Sequence, residues 1–258
     1  MDQIKELKEN EFEQIIVEKG FNRSLLIKDY YLTIILYLIK DIKGLYFKGG
    51  TALQKTLLGY TRISEDIDFS INRSLNEVKK EIKKTINDSK IFENITKDKD
   101  IDGFTRLIIP YKTNLGKDKI FIDLNMRGKI ILEPEKIDMK HFYSNIPKFK
   151  FSCLNKKEMV AEKVAAAIGR NKPRDHYDIY QIIKHKIPID MTLVKIKCKQ
   201  SNSDPSIIKM FNKAKQLHNK WNEDMLPLIT EEISFKEVMQ TLSKYFKLKE
   251  EKGNVKSP

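Results

Sequence analysis

The spacing of apolar residues changes along the chain, and the change predicts two kinds of structure. Up to about residue 150, stretches with helical spacing are separated by short apolar runs and by runs that alternate apolar and polar residues. Helical spacing indicates amphipathic helices, and alternation indicates strands with one buried face. Beyond that point only helical spacing remains. The pattern therefore predicts an α/β core in residues 1–150 and a helical domain in residues 151–258.

Start and stop signals refine these elements. In the first part, helices are predicted over residues 3–18, 25–42 (capped by Ser24) and 74–87, and strands over residues 45–47, 62–71, 103–112 and 119–127. The last two strands are predicted to form an antiparallel hairpin, and the stretch after them a connector. In the second part, helices are predicted over residues 155–170, 191–199, 205–221 and 234–248, with a further helix beginning at Pro173.

Two glycines, Gly49 and Gly50, follow the first strand, and helical spacing resumes after them. Glycine permits a positive φ and lets the backbone approach a ligand closely. The N–H groups at the start of a helix favour an anion, because they lack intrahelical partners and lie at the positive end of the helix dipole. We therefore expect Gly49, Gly50 and Thr51 to bind phosphate. An ordinary turn is the plainer alternative.

The next strand carries three polar side chains on one face. Ser64, Asp66 and Asp68 alternate with Ile67 and Phe69, so the two carboxylates share one side of the strand. Carboxylates this close repel each other unless a cation lies between them. Mg²⁺ binds one or two carboxylates together with water and substrate phosphates. The sequence thus predicts a Mg²⁺ site beside a nucleotide-binding turn, although a solvated strand face would show the same pattern.

These residues resemble the signature of the nucleotidyltransferase superfamily, a Gly-Gly or Gly-Ser turn followed by a strand with Asp-x-Asp or Asp-x-Glu. Within it, GGTAL followed by R-x-SEDIDF is similar to the AbiEii/AbiGii family, the toxins of abortive-infection toxin–antitoxin pairs. The resemblance implies a nucleotidyltransferase-type mixed sheet core and a C-terminal helical domain that completes the nucleotide site. It also implies transfer of a nucleoside monophosphate from an NTP to a hydroxyl group.

A third acidic residue, Asp123, lies on the predicted strand 119–127, on the same face as Phe121 and Asn125. Nucleotidyltransferases keep their third carboxylate on a strand beside the Asp-x-Asp strand. The resemblance therefore implies that Asp123 helps to hold the metal or acts as the base for the attacking hydroxyl. Spacing alone does not set the register between the two strands, and a simple exposed aspartate is the alternative.

The helical part contains a second family signature, K-x-x-A and then R-D-x-x-D. Lys163, Ala166, Arg174, Asp175 and Asp178 match it. By resemblance, Lys163 neutralises charge on the nucleotide phosphates, and Asp175 or Asp178 orients Lys163 or contacts the sugar. The alternative is a structural ion pair between two helices.

Composition narrows the partners and the compartment. The chain has 258 residues, 40% of them hydrophobic, and a net charge of +13, which favours polyanions such as nucleic acid. Part of this charge reflects a general richness in Lys, Ile and Asn. Lys209, Lys213 and Lys215 are candidates for an RNA-binding face, with a solvated helix as the alternative. Two cysteines, no apolar run long enough to span a membrane and a charged N-terminus predict a soluble cytoplasmic protein.

Together these features predict a Mg²⁺-dependent nucleotidyltransferase, with two ions held by the Asp-x-Asp carboxylates. By resemblance it is a phage-defence toxin that modifies tRNA and is neutralised by a separately encoded antitoxin. The same chemistry directed at a small molecule or a protein hydroxyl is one alternative. A non-catalytic basic protein that binds RNA or the antitoxin is another.

Overall fold

The computed structural model describes residues 4, 7–113, 116–170 and 172–250. The chain divides into two compact units, residues 1–156 and 157–258. The first unit contains a mixed sheet with helices and the second is built from helices, which confirms the predicted α/β fold class. None of the helices within these described ranges has the length and hydropathy needed to cross a membrane.

The first unit is organised around its sheet. Its helices are α1 (Glu9–Lys19), α2 (Arg23–Ile39), α3 (Gly49–Leu53) and α4 (Leu75–Ser89), with a π-helical segment at Gln54–Leu58 directly after α3. Its strands are β1 (Leu45–Lys48), β2 (Asp66–Ile71), β3 (Thr96–Ile101), β4 (Phe104–Thr113), β5 (Gly116–Asn125), β6 (Glu135–Asp138) and β7 (Lys150–Cys153). The strand order is β3-β4-β5-β2-β1-β7-β6, in which β2–β5 and β1–β7 are parallel pairs and the other pairs are antiparallel. The Asp-x-Asp strand β2 is therefore central.

Alternation along β4 and β5 gives this part of the sheet one buried face and one partly exposed face. The fully buried apolar side chains are Leu107, Ile109, Ile120, Ile122 and Leu124. Helix α2 packs against β5 and against α4. The intervening residues, which include Arg106, Phe121 and Asp123, are half-buried. The polar candidates therefore share the less covered face of the sheet.

The second unit is a set of packed helices. They are α5 (Lys156–Arg170), α6 (Pro173–Lys184), α7 (Met191–Gln200), α8 (Ala214–Met225) and α9 (Phe235–Tyr245), with a 3-10 turn at Ile207–Phe211. Helix α6 contacts both α8 and α9. Trp221 is buried in α8, and its indole N–H donates to the Ile233 carbonyl oxygen at 3.0 Å. The Nε2 atom of His176 lies 2.9 Å from the Met210 carbonyl oxygen, which connects α6 to the 3-10 turn.

Three predicted helix starts were wrong. Helix α1 begins at Glu9, and part of the stretch predicted before it lies outside the described residues. Asn22 rather than Ser24 caps α2, because its side chain accepts the backbone N–H groups of Ser24 and Leu25. The helix predicted from residue 205 begins at Ala214, because the 3-10 turn at Ile207–Phe211 interrupts the helical pattern before it.

Three strands were missed in the sequence. Every residue of β3 is exposed, so this strand has no apolar face and no alternation to detect. Strands β6 and β7 have four residues each, too few to show a period. The predicted connector therefore contributes two strands, and β7 pairs with β1 through Phe47 and Cys153.

A buried ion pair joins α2 to the π-helical segment. The Lys55 ammonium lies 2.8 Å from the Asp29 carboxylate and donates to the Thr33 hydroxyl at 2.8 Å. Tyr60 and Tyr143 each donate a hydroxyl hydrogen bond to Asp29 at 3.0 Å. Burial lowers the pKa of Lys55, although the charge and hydrogen bond of Asp29 oppose the shift. The network holds the segment that follows the two glycines against the helix behind it.

We expect Lys55→Met to lower the free energy of unfolding by about 3–5 kcal/mol, because it leaves the Asp29 carboxylate buried without its cation. The double variant Lys55→Met/Asp29→Asn should cost less than the sum of the two single variants, and urea unfolding measures all three. Lys28→Met removes a more exposed partner of Glu65 and should cost about 1 kcal/mol or less. Additive effects of the first two changes would show that Lys55 and Asp29 are energetically independent.

Candidate active site

The turn after β1 brings the backbone against one of the candidate carboxylates. Gly49 has φ +80°, in the left-handed region that side chains disfavour. A Cβ placed on Gly49 would lie 2.3 Å from the Asp68 Oδ2 atom, far inside van der Waals contact. In the register of β1 and β2, Lys48 is opposite Asp68. Both the backbone conformation and the approach of the carboxylate therefore require glycine at position 49.

The second glycine makes room for two other side chains of the signature. A Cβ on Gly50 would lie 2.8 Å from an Arg62 guanidinium nitrogen and 3.2 Å from the Ser64 hydroxyl oxygen. Arg62 is buried, and another of its N–H groups donates to the Ile63 carbonyl oxygen at 2.9 Å. Ser64 precedes the first residue of β2 and is half-buried. The structure therefore brings Ser64 to the turn, although it lies before β2 and not on the strand as predicted, and it places Arg62 beside it.

The Thr51 hydroxyl is hydrogen-bonded within the protein. It donates its hydrogen bond to the Asp66 backbone carbonyl oxygen, and its side chain is buried. A hydroxyl has one proton to donate, so the Thr51 side chain is not a phosphate donor in this arrangement. The expectation that Thr51 binds phosphate stays a prediction. In this structure the Thr51 hydroxyl fastens α3 to the start of β2.

The helix after the turn is also less regular than predicted. Helix α3 has five residues and passes directly into the five-residue π-helical segment, which ends at Gly59 with φ +67°. A π-helical turn is uncommon and is often found at functional sites. The segment directs Lys55 into the buried network with Asp29. The irregular helix thus joins the turn to the core of the first unit.

The three candidate carboxylates lie on neighbouring strands. Asp66 and Asp68 are both half-buried on β2, where they alternate with the buried Ile67. Asp123 on β5 is the register partner of Asp68, and Phe121 is the register partner of Asp66. Tertiary pairing thus places Asp123 beside the Asp-x-Asp strand, at a register that spacing in the sequence left open.

Asp123 is nevertheless engaged by an arginine. Arg106, its register partner on β4, donates two hydrogen bonds to the Asp123 carboxylate, each at 2.7 Å. Hydrogen bonds to Asp123, followed by the charges of Asp123 and Asp66, raise the pKa of the Arg106 guanidinium. Across the described ranges, no three His, Cys, Asp or Glu side chains converge to hold a metal ion. In this structure Asp123 positions Arg106, and its role as a third metal ligand or as the base stays a prediction.

In the second unit, the structure brings Lys163, Asp175 and Asp178 together. The Lys163 ammonium on α5 lies 2.9 Å from a carboxylate oxygen of Asp175 and 2.9 Å from one of Asp178, both on α6. Arg170 donates two further hydrogen bonds to Asp175, at 2.7 and 2.9 Å. Burial by itself raises the pKa of the Asp175 carboxyl, but Lys163 and Arg170 together hold it below its usual value. Both aspartates therefore orient Lys163.

A second buried lysine in the same unit has a similar environment. Lys197 on α7 forms ion pairs with Glu158 and, at 3.0 Å, with Glu162, both on α5. Its side chain is 4% exposed, against 6% for Lys163. The family signature includes Lys163 but not Lys197. A comparison of variants at the two positions therefore distinguishes the effect of losing a buried ion pair from an effect specific to the signature residue.

The three candidate RNA-binding lysines are on the surface of the second unit. Lys209 lies in the 3-10 turn, is 45% exposed and pairs with Asp204 at 3.1 Å. Lys213 and Lys215 are exposed at the start of α8. Their exposure makes them accessible to a polyanion, and the pairing of Lys209 reduces its contribution to the local positive charge.

A mixed sheet with a Gly-Gly turn packed on an Asp-x-Asp strand defines the nucleotidyltransferase class, and solved structures share this fold. MenT4, a nucleotidyltransferase toxin from Mycobacterium tuberculosis, is 24% identical with a TM-score of 0.60, over 75% of this chain and 69% of its own. JHP933 from Helicobacter pylori is 18% identical with a TM-score of 0.60, over 91% of this chain and 96% of its own. No curated protein matches the chain in sequence.

The chain belongs to the AbiEii family of nucleotidyltransferase toxins of type IV toxin–antitoxin systems, whose family model matches residues 34–242. This confirms the family suggested by the two signatures, and the match spans both units. Membership implies a transferase that uses an NTP and has an antitoxin partner.

We expect Gly49→Ala to lower the free energy of unfolding by more than the roughly 1–2 kcal/mol of left-handed strain alone, because its Cβ also collides with Asp68. Gly59→Ala is the matched control. Gly59 has φ +67°, but the nearest atom to its Cβ is the Lys140 Nζ at 3.6 Å, so this change should cost strain only. Thermal unfolding compares the two variants. Equal losses would mean that Asp68 moves aside without cost.

Proposed function

We propose that this protein transfers a nucleoside monophosphate from an NTP to a hydroxyl of an RNA acceptor, most specifically a tRNA end, with Mg²⁺ as cofactor. The observation that carries the proposal is the contact between the Gly-Gly turn and the Asp-x-Asp strand. Gly49 places backbone directly against the Asp68 carboxylate. A triphosphate at the turn would therefore lie next to the carboxylates that handle its metal.

The residues present fit a magnesium ion. Asp66 and Asp68 project from one face of β2 and are half-buried, and Gly49 lets the backbone of the turn approach the Asp68 carboxylate. Two carboxylates with water and phosphate oxygens form a typical Mg²⁺ environment. When bound, the ion would stabilise charge on the triphosphate and favour ionisation of the attacking hydroxyl. We propose Asp66 and Asp68 as its protein ligands.

The other site residues have supporting roles in this proposal. The backbone N–H groups of Gly49 and Gly50 would bind phosphate oxygens, with Ser64 as a side-chain donor beside them. Asp123 holds Arg106 in a fixed plane and stays the candidate third metal ligand or base. In the second unit, Lys163 would bind phosphate, and Asp175 and Asp178 set its position.

The proposal of an RNA acceptor rests on the net charge of the protein and on exposed lysines. A net charge of +13 is larger than one triphosphate requires, and Lys213 and Lys215 lie exposed outside both signatures. We further propose that the protein acts in the cytoplasm, in phage defence, where modification of tRNA would arrest growth until the antitoxin counteracts it.

The first test is transfer of label from each NTP, with Mg²⁺ and total RNA. Asp66→Asn and Asp68→Asn should each reduce transfer by at least about 10³-fold, as expected when a ligand to a catalytic metal is removed. Asp138→Asn is the control, because Asp138 is an exposed strand aspartate on β6. Normal transfer by either site variant would rule out the metal assignment, and label on protein or small molecules alone would rule out the RNA acceptor.

The second test compares two buried lysines. Lys163→Met and Lys197→Met should each destabilise the second unit by about 3–5 kcal/mol, because each removes a buried ammonium group from a fully buried carboxylate, Asp178 for Lys163 and Glu158 for Lys197. Only Lys163→Met should also weaken NTP use, by about 1.5–3 kcal/mol, the range for a charge-assisted hydrogen bond. Unfolding and NTP dependence of transfer are measured for both, below their melting temperatures. Equal NTP use by the two variants would make Lys163 a structural ion-pair residue.

A further inference from the structure

One part of the sheet beside the carboxylates carries aromatic and cationic side chains that the proposed chemistry does not use. Phe121 on β5 is the register partner of Asp66 and is half-buried on the same face. Neighbouring strands are about 4.8 Å apart, so the Phe121 ring begins one strand away from the proposed metal ligands. A core phenylalanine would point to the other face, where Ile120 and Ile122 are fully buried.

Cations lie over this ring and over a second one. The Arg106 guanidinium is 5.1 Å and the Lys119 ammonium 5.3 Å from the centroid of the Phe121 ring. On the same face of β4, Phe104 is two residues from Arg106, and the Arg127 guanidinium is 5.9 Å from its ring centroid. Asp123 fixes Arg106 with two hydrogen bonds, so its planar group is held in place beside Phe121. We call Phe104, Arg106, Lys119 and Phe121 the sheet platform.

The platform and the Gly-Gly turn are on opposite sides of β2. The turn follows β1, which pairs with one edge of β2, whereas Phe121 and Arg106 are on β5 and β4, beyond the other edge. In-line displacement requires the attacking and leaving oxygens to be on opposite sides of the phosphorus. With the triphosphate at the turn, an acceptor would therefore reach the carboxylates from the side of β2 on which the platform lies.

We propose that the sheet platform binds an unpaired nucleotide of the RNA acceptor, with its base stacked on Phe121 and its phosphates near Lys119 and Arg106. Aromatic rings and guanidinium planes stack on unpaired bases in proteins that recognise single-stranded RNA, and nearby cations bind the backbone. This inference rests on the proposed function for the identity of the ligand as acceptor. The binding itself requires no turnover.

The test measures equilibrium binding of a short fluorescent single-stranded RNA by anisotropy. Phe121→Leu keeps an apolar side chain without an aromatic face and should weaken binding by about tenfold, a loss of one base–aromatic stack. Phe121→Tyr keeps the ring and should bind within about twofold of the unaltered protein, since stacking is retained. An abasic RNA of the same length should bind equally to the unaltered protein and to Phe121→Leu, because it has no base to stack.

Phe142→Leu is the matched control. Phe142 is also half-buried, and the Lys19 ammonium lies 5.2 Å from its ring centroid, but it belongs to the stretch between β6 and β7. This variant should bind RNA as the unaltered protein does. An equal loss in Phe142→Leu, or no loss in Phe121→Leu, overturns the proposal.

The Mg²⁺–NTP affinity of the same variants separates the two sources of a nucleotide. It should be unchanged in Phe121→Leu, and a loss of NTP affinity without a loss of RNA affinity would assign the ring to the donor and overturn the proposal. Transfer of label by the unaltered protein is measured separately. If it labels no RNA while Phe121→Leu still weakens RNA binding, the proposed function fails and the RNA-binding platform stands.

Discussion

The close approach of the Gly49 backbone to the Asp68 carboxylate is the contact on which the rest of the candidate site depends. It follows from the antiparallel pairing of β1 with β2, which places Lys48 opposite Asp68 and brings the next residue of the chain alongside the carboxylate. Any side chain at position 49 would separate the two. The bond from Thr51 to the Asp66 backbone is a second connection between the same elements. Two contacts therefore hold the turn against the strand.

Two buried ionic groups support this arrangement at a cost in desolvation. Lys55 and Asp29 are almost completely inaccessible, and an ion pair of this kind contributes little net stability compared with apolar packing. Its effect is to define where the π-helical segment lies against α2. In the second unit, Lys163 is held between two carboxylates in the same manner, and so is Lys197. Buried, paired lysines thus occur in both units, and of Lys163 and Lys197 the family signature includes only Lys163.

Because of the strand order, different functional groups lie on the two sides of β2. The glycine turn and its backbone donors lie on the β1 side, and the ion pair of Arg106 with Asp123 lies on the β5 and β4 side. Asp123 was expected to join the other carboxylates at a metal, and in this structure each of its two oxygens accepts a hydrogen bond from Arg106. Asp123 lies on a strand beside the Asp-x-Asp strand, as the resemblance implied, but its ion pair with Arg106 was not predicted. The consequence is a cation fixed within the acidic face of the sheet, beside an aromatic ring.

The sequence by itself determined the elements whose signals are local. Alternation identified β2, β4 and β5, Ser74 and Ser234 marked helix starts, and the two signatures identified the family, because each of these depends on residues close together in the chain. Strands β3, β6 and β7 escaped detection, since an exposed strand has no apolar period and a four-residue strand is too short for one. Only the tertiary structure decided the register that pairs Asp123 with Asp68, the capture of Asp123 by Arg106 and the assignment of the Thr51 hydroxyl to Asp66. Each of these contacts joins residues that are distant in sequence. The spacing of residues along the chain does not specify which side chain or backbone group becomes the hydrogen-bonding partner when the chain folds.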